Sequence, residues 1–357
     1  MDVADEADRR RIVMLGPRRA GKTSLLKVVY DGVPPNDTFF LAPTTRVQTR
    51  HLDTFQALEM WDMPGSALQQ FNKHAPSGGG ASPDAVSIPW STVSAVIYVI
   101  DAQDDYFDAL LKLNQVILAA YAANNDIHFH VFINKVDGLG EDYRYDTQRD
   151  IEQRVYDELI DSSHEFPAPA SGAPVQLEQA VQLRTHLTSV FDSSAFVAFS
   201  NVQQWLMHAD SQSDALVSVH DALESACNQL CTTCQFEKAY VFDVPSHTFV
   251  GCDSSPFDQA LFDIMFDYIR FLVCFTGLYA NIHTVSGGTP YARKWSRSAV
   301  RLVSDTSVAF WQLDSRLALL AVMCTGVRAY NYDILDFNVS VFRDTIAELR
   351  ALARAPA

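Results

Sequence analysis

The octet Gly16-Pro17-Arg18-Arg19-Ala20-Gly21-Lys22-Thr23 constrains this chain more than any other stretch. An apolar run, "RRRIVMLG", precedes it and a helical pattern, "SLLKVVY", follows. The order strand, glycine-bounded loop, helix is the arrangement in which backbone N–H groups wrap phosphate oxygens. Gly16 and Gly21 stand where the loop needs glycine conformations, and the helix N-terminus adds partial positive charge. In such a cradle the backbone from Arg19 and Ala20 through Ser24 meets phosphate. Lys22 reaches the β- and γ-phosphates, and the Thr23 hydroxyl reaches a Mg²⁺ ion. The side chains of Arg18 and Arg19 read as facing solvent or a partner.

The octet implies a sheet to carry it, and further β-rich runs supply one. "FQALEMWD", "SAVIYVID", "HFHVFINK" and "LRTHLTSV" read as strands, with helical patterns between the last three. Strands alternating with helices predict an α/β fold with a mostly parallel sheet covered on both faces. Two stretches rich in Gly, Ser, Pro and Ala, near residues 73–88 and 163–178, read as surface loops. The alternation stops near residue 210. Beyond it the pattern is a helix to about Cys234 and two strands around a turn at Pro245-Ser246-His247, with His247 exposed. A long apolar helix from about Phe257 follows, then two or three strands and a final helix. The expected domains are residues 1–210 and 211–357, the second a smaller α/β unit with an antiparallel sheet.

With 357 residues the chain has material for two cores. A formal charge of -16 argues against broad contact with nucleic acid, which needs a basic face. The opening "MDVADEADRRR" carries charge where a secretory signal has an apolar segment, so a cytosolic, reducing compartment is expected. The six cysteines then read as buried thiols, since the "CTTC" pair at Cys231 and Cys234 lacks a second pair. The longest apolar segment, "FLVCFTGLYA", is too short to span a bilayer, and neither end carries a lipidation signal. No direct membrane insertion is expected.

Four more groups follow the octet in a meaningful order. In "WDMPG", Asp62 ends a strand and can hold the Mg²⁺ shell, while the Gly65 N–H can approach a γ-phosphate. In "NKVD", Asp137 can accept two hydrogen bonds from the ring N–H and amino group of guanine. Adenine offers no such donor pair, so a carboxylate there selects GTP over ATP. Asn134 would brace the loops and the Lys135 stem would pack on the base. "LTSV" places Thr188, Ser189 and Val190 to meet the base through backbone N–H groups. "APTTRV" offers Thr44 or Thr45 as a threonine that closes on Mg²⁺ when a γ-phosphate is present. A metabolic kinase with a phosphate loop is the competing class, and the guanine-selecting aspartate argues against it.

Together these stretches resemble the Rag GTPases of the RagC/RagD class. The resemblance rests on "GPRRAGKTSLLKVVY", "WDMPG", "YVIDAQDDYFDAL", "FINKVDGLGEDYRYDTQRDI", "LTSVFDSSAFVAFS", "FEKAYVFDV" and "CDSSPFD". It implies a Ras-like P-loop GTPase domain followed by a roadblock-like (longin-like) domain that pairs with a RagA/RagB-type subunit. It implies GTP or GDP with Mg²⁺ as ligands. Docking on a Ragulator/EGO-type scaffold at the cytosolic face of the vacuole or lysosome is implied too. So are a folliculin-type activator and output to the target-of-rapamycin kinase complex. By position, the resemblance favours Thr44 over Thr45. It assigns the reacting end to Lys22, Thr44, Gly65 and the residue after it. That residue is commonly glutamine in the family and orients the attacking water, whereas here it is Ser66, with Gln69 and Gln70 nearby as the residues that could take its place. Slow, activator-dependent hydrolysis is therefore expected, and a nucleotide-loaded scaffold that hardly hydrolyses GTP is the alternative.

Overall fold

The computed structural model describes residues 9–71, 88–165, 176–209, 218–285, 297–302, 305–324 and 330–354. The two loop-like stretches of the sequence fall largely outside these residues. The chain separates into two compact units. One is Met1–Asp53 with Ala57–Ala198, and the other is Phe199–Ala357 with Thr54–Gln56.

The first unit is built on a six-stranded sheet. Its strands are β1 (Arg10–Leu15), β2 (Gln48–Asp53), β3 (Ala57–Asp62), β4 (Val93–Asp101), β5 (His128–Asn134) and β6 (Gln182–Thr188), in the order β2-β3-β1-β4-β5-β6. β3, β1, β4, β5 and β6 run parallel, and β2 pairs antiparallel with β3 at the edge. β5, "HFHVFIN", is buried at every position. That is why it reads as a continuous apolar run rather than an alternating one. β2, "QTRHLD", is an exposed polar edge strand that the sequence reading did not anticipate.

The helices of this unit are α1 (Lys22–Tyr30), α2 (Phe107–Ala123), α3 (Glu141–Glu165) and the short α4 (Leu177–Ala180). Leu113, Val116 and Ile117 of α2 and Ile151 and Val155 of α3 pack in one cluster with Tyr98, Ile100, Phe129 and Val131 of the sheet. Each such side chain removed from water contributes roughly 1.5–3 kcal/mol. The unit boundary lies inside the next helix, α5 (Ser194–Ala209).

The second unit carries α6 (Val219–Cys234), β7 (Lys238–Asp243), β8 (Thr248–Cys252), α7 (Gln259–Val285), β9 (Arg297–Arg301), β10 (Thr306–Gln312), β11 (Leu317–Cys324) and α8 (Tyr332–Ala353). Its sheet, β8-β7-β11-β10-β9, is antiparallel throughout. The two-residue period of β7 divides the core. Ala239 and Val241 pack with Leu223 and Cys227 of α6 and with Val339 and Phe342 of α8. Tyr240 and Phe242 instead meet Phe262 of α7, at ring-centroid distances of 5.7 and 5.9 Å. α6 starts at Ser218, whose hydroxyl accepts from the Asp221 N–H, and α8 starts at Asn331 in the same manner.

Two expectations for this unit need correction. His247 is half-buried, and burial, with Arg270 nearby, pushes its imidazole down to about 4. Of the cysteines, Cys227 and Cys234 are buried, but Cys274 is exposed on α7. Among the described residues no helix is long and apolar enough to cross a membrane.

Candidate functional site

The sheet register gathers the sequence motifs at one end of the first unit. Met14 stands beside Asp62, Asp101 beside Asn134, and Asn134 beside Thr188, so the carboxyl ends of β1, β3, β4, β5 and β6 meet there. Loops leaving that end of a parallel sheet form the crevice where ligands bind in open α/β folds.

The octet leaves β1 through Gly16, at φ 146. A Cβ there would stand 2.3 Å from the Val99 carbonyl oxygen, so only glycine fits. Arg19 adopts the left-handed region at φ 64, and Gly21 does so at φ 98. A Cβ on Gly21 would stand 2.2 Å from Nδ2 of Asn134. Gly21 caps α1 without a side-chain hydrogen bond. The first N–H groups of the helix are thus left for an anion. Ala20 is buried, and Ser24 follows in the first turn. The Lys22 ammonium is buried and donates to the carbonyls of Gly16 at 2.8 Å and Pro17 at 2.9 Å. Burial lowers its pKa to about 8, against the opposing effect of Asp62. A charge held in so dry a place calls for an anionic partner.

Thr23, Thr44 and Asp62 form the second group. The Thr23 hydroxyl donates to Oδ2 of Asp62 at 2.5 Å and lies 2.8 Å from the Thr44 hydroxyl. Thr44, not Thr45, makes this contact. Oδ1 of Asp62 is buried and has no hydrogen-bond partner. Burial raises the pKa of this carboxyl, with the Thr23 hydrogen bond and Lys22 acting in the opposite sense. Two hydroxyls and a carboxylate with an idle oxygen fit a hard divalent cation such as Mg²⁺, which prefers oxygen ligands. Beside them a cavity of about 380 Å³ opens between Thr23, Lys27 and the Leu41–Gln48 segment.

Gly65 lies against the loop: a Cβ there would meet the Arg18 backbone N at 2.8 Å. Ser66 is half-buried and Gln69 exposed; the side chain of Gln70 lies outside the described residues.

The third group lies at the carboxyl ends of β5 and β6. Asn134 donates from Nδ2 to the Ala20 carbonyl at 2.8 Å, and its Oδ1 lies 3.3 Å from the Thr188 hydroxyl. It therefore ties the phosphate loop to the ends of β5 and β6. Lys135, at φ 65, forms an ion pair with Asp101. Oδ1 of Asp137 accepts from the Ser189 hydroxyl at 2.6 Å. The Ser189 N–H is donated to the Ser194 hydroxyl at 2.8 Å, so Ser189 acts here by aiming a carboxylate. Thr188 is buried and Val190 half-buried at the same strand end.

Several residues escaped the sequence reading. Gln103 donates to the Lys135 carbonyl at 2.8 Å and fills the space beside Gly138. Asp101 anchors Lys135. Phe39 and Phe191, both exposed, approach to 6.2 Å between ring centroids. Phe191 lies two positions after Ser189. Only the register of β4 against β5 could have announced the first two.

The conserved region of the Gtr1/RagA G proteins matches residues 11–269. The GTP-binding protein gtr2 of Schizosaccharomyces pombe is 35% identical over 344 residues, covering 95% of this chain and 98% of that protein. The human Ras-related GTP-binding protein C is 31% identical over 349 residues, covering 96% and 77%. GTP-binding protein GTR2 of Saccharomyces cerevisiae is 29% identical over 357 residues, covering 96% and 94%. Guanine-nucleotide binding comes with that kinship, and so does a Ras-like nucleotide domain followed by an antiparallel sheet with helices. This chain is therefore a member of the Gtr/Rag family of G proteins, in its Gtr2 and RagC/RagD class.

Proposed function

We propose that this chain is the regulatory GTPase subunit of a Rag-type heterodimer. It binds GTP or GDP with Mg²⁺ through residues 1–210 and pairs with a RagA/RagB-type subunit through residues 211–357, a roadblock-like domain. Docked on a Ragulator/EGO-type scaffold at the vacuolar or lysosomal membrane, it relays amino-acid sufficiency to the target-of-rapamycin kinase complex. A folliculin-type activator accelerates its hydrolysis. The observation that carries the nucleotide part is the Thr23–Asp62–Thr44 triad with one buried carboxylate oxygen idle. Thr44 lies on the Leu41–Gln48 segment, so a γ-phosphate and its cation would hold that segment in place and hydrolysis would release it. The bound nucleotide supplies the phosphoryl chemistry; Lys22 stabilises charge on it and Gly65 offers an N–H toward it.

A second reading has its own observation. Ser66 follows Gly65, where the family commonly has glutamine, and a serine is too short to hold the attacking water in the same way. On that reading the chain is a nucleotide-loaded scaffold that hardly turns over GTP. Single-turnover hydrolysis on protein preloaded with GTP and Mg²⁺ separates the cases. Loading with slow turnover that an activator accelerates supports the regulatory GTPase. Loading without turnover, activator present, supports the scaffold. Failure to load removes both.

A further inference from the structure

We propose that His208, His220 and Asp221 form a binding site for a borderline transition-metal cation of the zinc class. The three come from two helix ends within the second unit. His208 lies in the last turn of α5, and His220 and Asp221 lie in the first turn of α6. Nδ1 of His208 and Nδ1 of His220 each stand 3.6 Å from Oδ1 of Asp221. One ligand atom from each residue lies within 4.8 Å of the others. Among the described residues this is the one such group.

Those distances suit a coordination shell better than a hydrogen-bonded pair. With metal–ligand bonds of about 2.0–2.1 Å, neighbouring ligand atoms of a tetrahedral zinc stand roughly 3.3 Å apart. Closing from 3.6 Å takes a few tenths of an ångström. A hydrogen bond would need to close further, to about 2.9 Å. Nδ1 of His220 is shut off from solvent and makes no hydrogen bond. Asp221 stands at the same distance from both imidazoles, so pairing with a single ring does not account for the cluster. A metal ion uses all three groups.

The donor set chooses the cation. Two imidazoles and a single carboxylate favour zinc, nickel or cobalt over magnesium or calcium, which want an all-oxygen shell. The local field is permissive. A cation is favoured at the C-terminal end of α5 and disfavoured at the N-terminal end of α6, so the two dipoles offset each other and the carboxylate decides. Asp221 is held in place, because its N–H donates to the Ser218 hydroxyl at 2.9 Å. The exposure of His208 and Asp221 leaves an open coordination position for water. The consequence is a clamp joining the end of α5 to the start of α6, so metal binding would stabilise the second unit by linkage.

The test uses the full chain loaded with GDP and excess Mg²⁺, which keeps the nucleotide's own cation site filled. Titration with Co²⁺ should give one bound ion per chain, with visible d–d absorption and without a thiolate charge-transfer band. Zn²⁺ should displace it and raise the melting temperature. His208→Ala and Asp221→Asn should each weaken binding by at least about 10²-fold, the range seen when a supporting group of a metal site is lost. Both side chains are exposed, and melting without metal verifies that the variants fold. Absence of Co²⁺ uptake, affinity in both variants equal to the parent's, or a thiolate band that assigns the ion to the cysteines would each overturn the proposal.

Discussion

On the proposed nucleotide reading, Asp137 and Lys22 serve opposite ends of the bound nucleotide, and substitutions there separate base recognition from phosphate binding. Asp137 offers only acceptors, aimed by Ser189. Asn at that position presents an amide donor against the donors of guanine. Asp137→Asn should lower GTP and GDP affinity by at least about 10³-fold, because a site built to pair polar groups rejects a mismatch strongly. It should raise affinity for xanthine nucleotides, and competition binding with GDP and xanthosine diphosphate reads both changes. Lys22→Ala removes charge-assisted contacts worth about 1.5–3 kcal/mol, so nucleotide affinity should fall about 10- to 150-fold. The same change relieves a buried ammonium whose pKa is already down to about 8. The nucleotide-free protein should therefore melt no lower than the parent; a large drop would mean that Lys22 holds the loop together through Gly16 and Pro17. Lys22 is legible in the sequence because the octet fixes its local backbone, and Asp137 because "NKVD" follows directly on the β-rich run "HFHVFIN". Gln103 and Asp101 are not, because their partner Lys135 reaches them only through strand pairing.

At the scale of elements, β5 and β6 carry a buried titrating cluster. Nδ1 of His130 and Nε2 of His186 lie 3.2 Å apart, a distance at which one ring donates to the other as long as one of the two facing nitrogens carries no proton. Burial pushes His128 and His186 down to about 4 and His130 well below its ordinary 6.5. The unfolded chain therefore binds protons between pH 6.5 and about 4 that the folded strands refuse. Stability is fully present above 6.5 and is lost progressively as pH falls through that window. Asp62, whose pKa is raised, works in the opposite direction as one carboxyl against three imidazoles. Melting temperature followed from pH 7.5 to 4.5 should fall steadily below 6.5. Replacing His130 and His186 together by leucine should flatten that limb, and an unchanged slope would place the acid sensitivity elsewhere. Element type and order were readable because the central strands are apolar runs separated by helical periodicity. β2 was not, since an exposed edge strand of polar residues has no hydrophobic signal to give away its pairing with β3.

At the scale of the molecule, the second unit leaves apolar side chains in water that a lone subunit has no use for. On α8 the inward face is Leu335, Val339, Phe342 and Ile346, while Ile334, Phe337 and Val341 are 58%, 67% and 53% exposed. The outward three recur at helical spacing and form a stripe of their own. α7 repeats the pattern, with Ile264, Phe271 and Phe275 outward and Phe262, Met265 and Ile269 inward. Sequence periodicity cannot separate such a two-sided helix from a wholly buried one, because both read as apolar all round; only burial distinguishes the faces. Contiguous exposed apolar surface on a folded domain marks an interaction site. The two stripes cover different elements, so they can be tested against each other. Phe337→Asp and Phe271→Asp both replace an exposed ring, so neither should lower the melting temperature of the isolated chain by more than a few degrees. On the proposed pairing, the stripe that faces a RagA/RagB-type partner should lose about 2–4 kcal/mol of association, roughly 30- to 1000-fold, the scale of an aromatic hot spot. Titration calorimetry of the co-purified partner against each variant reads that loss directly. If both variants bind as tightly as the parent while a chain truncated after residue 210 binds equally well, then pairing through residues 211–357 is wrong and these stripes serve some other contact.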